Sequence, residues 1–253
     1  MSYIPIIYTI KKNTDFISVL TRFVETWYEF EVIAPRNTID YGNRLQIEIS
    51  QNINASLNFL ESLNNVLISG NKNFAYTGFN YIFRRQSLNI GYNKEINFLF
   101  LLQEGQQDFY YGIHKNELLN DNPKIYRFIR DNKTKEISYF QDNNLLEFLV
   151  SHICTRASKI KTKEYLHLIK KTDSKTDNKI KEFKKIFKHE TKFADFLILE
   201  QENLIATIGH KEDDEYIDIS INKWNEKQND ITEKIVELFE WKGWSDNNLR
   251  YKL

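Results

Sequence analysis

The stretch FLFLLQEGQQDFYYGI, residues 98–113, decides the fold class. Its apolar runs, 98–102 and 109–113, flank a polar turn at 104–107 that contains Gly105. Aromatic and β-branched runs on either side of a short glycine-containing turn are typical of a β-hairpin. Two further runs, 126–130 and 137–140, flank the polar residues 131–134. The middle of the chain therefore predicts consecutive antiparallel hairpins.

Helical spacing and further strand patterns surround these hairpins. Apolar residues recur every three or four positions from Phe16 to Trp27, which predicts a helix ending before Pro35. Asn144 is followed by Glu147, a capping-box spacing that predicts a helix start. Helices are also predicted over 53–67, 179–188 and 230–239, a loop over 172–177, and strands over 3–10, 45–49, 196–199, 204–208 and 216–221. The fold class is therefore α+β, with antiparallel hairpins packed against helices and no βαβ alternation.

Two parts of the chain resemble each other. Residues 98–101 and 196–199 both read as apolar strands, each is followed by Gln-Glu, and Gly-Ile-His-Lys at 112–115 matches Gly-His-Lys at 209–211. The likeness indicates two related β-β-β-α units, about 96–155 and 194–244. The alternative is chance, because any two hairpins with apolar strands and polar turns share letters. A true duplication would place His114 and His210 at equivalent strand ends.

Charge is segregated along a chain whose total is neutral. Residues 156–192 hold 13 Lys or Arg and 5 Asp or Glu, whereas residues 193–253 hold 7 and 14. We predict an N-terminal α+β domain over 1–155, a basic helical connecting segment over 156–192, and an acidic β-β-β-α module over 193–253. A basic segment beside an acidic module means either internal pairing or an arm that binds polyanions.

The basic segment is the first candidate binding site. Lys181, Lys184 and Lys185 lie on the predicted amphipathic helix, where they could contact the phosphates of a nucleic acid. Two alternatives stay open, a solvated helix face and pairing with the acidic module.

The acidic module offers the second candidate site. Trp244 follows Gly243 beyond the predicted last helix, and Glu212, Asp213 and Asp214 form an acidic run. Tryptophan is enriched at binding hot spots, so these residues predict a surface for a basic protein partner. Core packing of the tryptophan and a solvated acidic turn are the alternatives.

Catalytic and metal signatures are weak. Asp40 and Glu48 flank the predicted strand 45–49, as nuclease carboxylates would, but Ser50 stands where a lysine is usually wanted. The single cysteine, Cys154, excludes an internal disulfide and a cysteine-based zinc finger. We predict no catalytic residues, no metal site and no cofactor. Whether the protein is an enzyme stays open, and a protein without catalytic activity is favoured.

The start of the chain lacks the features of a signal peptide, and no apolar run is long enough to span a membrane. We therefore expect a soluble cytoplasmic protein that does not contact membranes. The leading hypothesis is a binding protein, an inhibitor or immunity-type factor of a mobile-element or defence locus. The alternatives are a nucleic-acid-binding accessory protein using residues 156–192 and a metal-dependent nuclease with an atypical site. Oligomeric state is not predicted.

Overall fold

The computed structural model of this 253-residue chain describes residues 6–10, 15–28, 38–68, 86–104, 109–130, 137–157, 165–171, 173–193, 196–201, 204–211, 216–223, 229–239 and 251–252. The chain forms two compact units. The inserted unit is Asp15–His152, and the terminal unit joins Met1–Thr14 to Ile153–Leu253. The three-part division drawn from charge stays a prediction.

The inserted unit contains a five-stranded sheet whose strands lie side by side in chain order. Each strand pairs antiparallel with the next. Antiparallel neighbours need only tight turns, so short polar connections suffice. Both hairpins predicted within 98–140 are confirmed, and so is the α+β fold class. The strands are β1 (Gln86–Asn93), β2 (Phe98–Glu104), β3 (Phe109–His114), β4 (Lys124–Arg130) and β5 (Ile137–Asn144).

Helices supply the rest of the inserted unit's core. Its helices are α2 (Phe16–Tyr28), α3 (Tyr41–Leu45), α4 (Gln51–Ile68) and the start of α5 (Leu145–Ala157). α5 begins where the capping-box spacing predicts, because Asn144 Oδ1 accepts a hydrogen bond from the Glu147 backbone N–H at 2.9 Å. Phe148 of α5 packs on Tyr111 of β3, with ring centroids 5.2 Å apart.

The terminal unit contains a six-stranded sheet. Its strands are β6 (Tyr165–Lys171), β7 (His189–Lys192), β8 (Phe196–Gln201), β9 (Leu204–Lys211), β10 (Tyr216–Lys223) and β11 (Tyr251–Lys252). They lie in the order β11-β6-β10-β9-β8-β7, and only β11 is parallel to its neighbour, whereas the other strands pair antiparallel.

One face of this sheet packs against two helices, α6 (Ser174–Ile186) and α7 (Asn229–Leu238). Alternate residues such as Leu199 and Ala206 point into this core, as the period of two along a strand requires. Phe183 of α6 meets Phe239, which follows α7, with ring centroids 5.4 Å apart. Helical spacing therefore correctly predicted the apolar stripe of α6.

On the second face of the six-stranded sheet, α1 (Ile6–Ile10) packs against β7 and β8, and it is a helix where a strand over 3–10 was predicted. That prediction is wrong, because a distant residue satisfies the first amides of the short helix. Glu200 of β8 accepts hydrogen bonds from the backbone N–H groups of Ile6, Ile7 and Tyr8 at 3.0, 3.1 and 2.7 Å. A helix leaves these amides without internal partners, so the carboxylate stabilises α1.

Two further predictions of local structure are corrected. The strand predicted over 45–49 is wrong, because Asp40 accepts from the Asn43 backbone N–H and starts α3, which ends at Gln46 with a left-handed φ of 54°. The predicted loop over 172–177 is mostly the first turns of α6, which begins at Ser174. The basic segment also contributes β6 and β7 to the sheet, so it is not helical throughout.

The two stretches that the sequence suggests are related differ in the number of their strands. Among the described residues, the first stretch has four strands, β2 to β5, before α5, whereas the second has three, β8 to β10, before α7. The hairpins β2–β3 and β8–β9 are both antiparallel, which fits the pattern that suggested the repeat. A duplication stays a prediction.

Candidate nucleic-acid interface

Helix α6 presents its lysines because its other side is fixed in the core. Asp173 accepts a hydrogen bond from the Thr176 backbone N–H at 2.7 Å and starts the helix. Ile180 and Phe183 then lie buried against the sheet. A helix repeats every 3.6 residues, so Lys181 and Lys185 lie on the exposed side.

The three predicted lysines have different surroundings. Lys185 Nζ lies 2.6 Å from Glu182 Oε1, and Lys184 Nζ lies 3.6 Å from Glu190 Oε1. Both pairs are solvent-accessible and contribute little to stability, so an incoming anion can replace the carboxylates. Within the described part of the chain, Lys181 forms no ion pair.

These lysines share one shallow groove on the terminal unit. The groove has a volume of about 540 Å³, and Leu238 of α7 forms its apolar part. We call it the lysine groove, and its lining from α6 is Asn178, Lys179, Lys181, Glu182, Lys184 and Lys185. The structure therefore brings Lys181, Lys184 and Lys185 together, with four lysines against one carboxylate around the groove.

Part of the charge on α6 also stabilises the helix itself. The backbone N–H of Thr176 holds the pKa of the Asp173 carboxyl below its ordinary value of 3.8. Lys184 and Lys185 lie in the last turn, where a positive charge opposes the negative end of the helix dipole. Lys181 lies in the middle of the helix and gains nothing from the dipole. Of the three predicted lysines, Lys181 is therefore the one whose placement helix stability explains least.

The other predicted binding residues lie outside the described residues. Trp244, Glu212, Asp213 and Asp214 all fall there, so the predicted surface for a basic protein partner stays a prediction. The carboxylates found beside Lys184 and Lys185 belong to the basic segment itself.

The structural context that favoured a nuclease is absent around Asp40 and Glu48. Asp40 accepts hydrogen bonds from both the backbone N–H and the side-chain amide of Asn43, at 3.0 and 2.6 Å, so it caps a helix rather than flanking a strand. Across the described residues, no three His, Cys, Asp or Glu side chains are grouped as a metal ion would require.

Sequence reasoning missed an aromatic surface on the five-stranded sheet. Strand register places seven rings on one face, which we call the aromatic face. The signal was present as alternating rings along β2 and β4. The aromatic face consists of Phe98, Phe100, Tyr110, His114, Tyr126, Phe128 and Tyr139.

Comparisons with protein families, curated proteins and solved structures find no match to this chain. Among the described helices, none is long and apolar enough to cross a membrane.

Proposed function

We propose that this protein binds nucleic acid and that α6 contacts the phosphate backbone through the lysine groove. The observation that carries the proposal is the set of four lysines from one helix around one groove. α6 as a whole holds five lysines and two carboxylates. Each phosphate that a lysine neutralises releases a condensed counterion, which favours binding at low salt.

The arrangement suits a backbone contact better than a catalytic one. The lysines project from a helix whose opposite side is packed in a core, so their spacing is held without a ligand. Lys181 in particular has no competing carboxylate in the described residues. Lysines that reach phosphates position a duplex or a strand and read no bases, so this groove predicts affinity without sequence preference.

A salt series tests the proposal. The full chain is titrated against fluorescein-labelled 20-base-pair DNA and a labelled 20-nucleotide strand, with fluorescence anisotropy as the readout. We expect affinity for both probes to fall steeply between 50 and 200 mM salt, because counterion release dominates binding. The double variant Lys181→Glu/Lys185→Glu is expected to weaken both by about tenfold or more, since it removes two cations and adds two anions.

A matched control separates the groove from net charge. Arg22→Glu/Lys94→Glu makes the same change of charge at two exposed cationic residues of the inserted unit that belong neither to the lysine groove nor to the aromatic face. Glu182→Lys removes the one carboxylate of the groove and should strengthen binding. Equal losses in the two double variants, or no binding by the parent protein at 50 mM salt, would refute the proposal.

A further inference from the structure

The aromatic face is an unusual outer surface for an antiparallel sheet. Residues of the opposite face, Leu99, Ile113 and Ile125, are fully buried, and Tyr111 on that face packs on α5. Strands with one buried face normally carry polar residues on the other. Here the other face carries rings, and Tyr139 is 56% exposed. A contiguous, partly exposed apolar patch is typical of a binding site.

The rings of the aromatic face differ in burial, and two of them are buried among the others. Phe98 and Phe128 are each 2% exposed, and their centroids are 4.3 Å apart. A Cβ on Gly112 would stand 2.7 Å from the Leu99 carbonyl oxygen and 3.3 Å from the Phe128 ring. Glycine at this position therefore leaves room for the Phe128 ring. The other, partly exposed rings are Phe100, Tyr110, His114, Tyr126 and Tyr139.

Two lysines stand at the end of the sheet where β3 ends and β4 begins, and both of these strands contribute to the aromatic face. Lys124 lies two residues before Tyr126 on β4, and Lys115 directly follows His114. Both lysines are exposed, and neither has an ion pair in the described part of the chain. Burial first, and then the nearby Glu117 and Tyr139, raise the pKa of Tyr126, so its hydroxyl stays a neutral hydrogen-bond donor.

We propose that the aromatic face stacks the unpaired bases of a single-stranded nucleic acid, with Lys115 and Lys124 beside its phosphates. Every base has a flat π-face, so rings on a sheet can bind successive bases with little sequence preference. Duplex bases are already stacked and cannot use the platform. This inference rests on the proposed nucleic-acid function and specifies which form of nucleic acid the protein prefers.

Tyr139 is the residue to test, because its exposure makes loss of folding improbable as a cause of lost binding. The probes are a 15-nucleotide oligothymidylate containing one 2-aminopurine and a 15-base-pair duplex. We expect Tyr139→Ala to weaken single-strand binding about tenfold and to leave duplex binding unchanged, since stacking is worth this much per base. Tyr139→Phe should restore single-strand binding. In the parent protein, 2-aminopurine fluorescence should be quenched on binding, and Tyr139→Ala should reduce that quenching.

Leu119→Ala is the matched control, because Leu119 is another exposed apolar residue of the inserted unit that is not on the aromatic face. If Tyr139→Ala leaves single-strand affinity unchanged while Lys181→Glu/Lys185→Glu weakens both probes, the platform is refuted and the groove stands. If Tyr139→Ala weakens single-strand binding and the lysine variant changes neither probe, the groove is refuted and the platform stands. If the parent protein binds neither probe, both fail, and a protein or sugar becomes the candidate occupant of the aromatic face.

Discussion

Two sheet faces of this protein differ in burial. One is the aromatic face of the inserted unit, and the other is the second face of the terminal unit's sheet, where it packs against α1. On the second face α1 packs against β7 and β8, and Glu200 there is only 1% exposed. The aromatic face keeps Tyr139 largely exposed. Apolar side chains on a sheet therefore do not decide whether its face becomes core. A face becomes core when another segment also satisfies the polar groups that are buried with it.

The largest expected effect is on the second face of the terminal unit's sheet. Glu200→Ala removes the acceptor of three buried or part-buried backbone N–H groups, and we expect the free energy of unfolding to fall by about 3 kcal/mol. Urea denaturation measures the loss, and amide hydrogen exchange at Ile6 and Ile7 should accelerate. Glu200→Gln keeps one acceptor oxygen and should lose less. An unchanged urea midpoint in Glu200→Ala would show that α1 does not depend on this carboxylate.

The next effect concerns Gly112, which lies on β3 beneath the ring of Phe128. Gly112→Ala brings a methyl group against the Leu99 carbonyl, which the β2–β3 ladder holds in place, and should cost about 1–3 kcal/mol of stability. Gly91→Ala on the neighbouring part of the same sheet is the control, because its added Cβ meets nothing within 4 Å. Thermal denaturation compares the two variants. Similar melting temperatures for both would mean that the rings do not pack tightly over Gly112.

A smaller effect of opposite sign is expected beside α1. Within the described residues, the buried Thr191 Oγ1 has no hydrogen-bond partner. Thr191→Val keeps the branched shape and removes the unsatisfied hydroxyl, so stability should rise by about 1 kcal/mol. Thr207, on the same face and similarly buried, does have a partner, and Thr207→Val should lower stability instead. If chemical denaturation gives both substitutions the same sign, the hydroxyl of Thr191 is satisfied in solution.

The smallest expected effect separates the platform from a core. Tyr139→Ala should lower the free energy of unfolding by less than about 1 kcal/mol, because more than half of the side chain is already exposed to solvent. Phe128→Leu, at a buried ring of the same face, should cost more, about 1–2 kcal/mol. Urea titrations of both variants give the comparison. A large loss for Tyr139→Ala would place that ring in the core and remove the basis for a base-stacking platform.

Much of the fold was predictable where the decisive contacts are local. The hairpin at 98–113, the capped start of α5 and the apolar stripe of α6 depend on residues within a few positions of one another. The strand predicted over 3–10 failed because its helix depends on Glu200, 194 positions away from Ile6. The strand predicted over 45–49 failed because the alternation of its five residues was followed, whereas the side chain of Asp40 just before them caps the start of α3.

In the candidate sites too, features that depend on nearby residues were predicted and features that depend on distant segments were not. Lys181, Lys184 and Lys185 were predicted because lysines outside an apolar helical stripe must face solvent. That they share a groove with Leu238 could not be predicted, because α7 lies about 50 positions further along the chain. The aromatic face was missed because alternation shows that Phe98 and Phe100 share a face but not which face of the sheet is buried.

The sequence by itself determined the α+β class, the hairpin order and the basic helix, since these depend on side-chain period, turn residues and local charge. Only the tertiary structure decided that the first helix joins the terminal unit, that four lysines border one groove, and that seven rings meet on an outer face. The reason is that burial and hydrogen bonding depend on segments that folding brings together. A local sequence pattern does not specify which distant segment will pack against it.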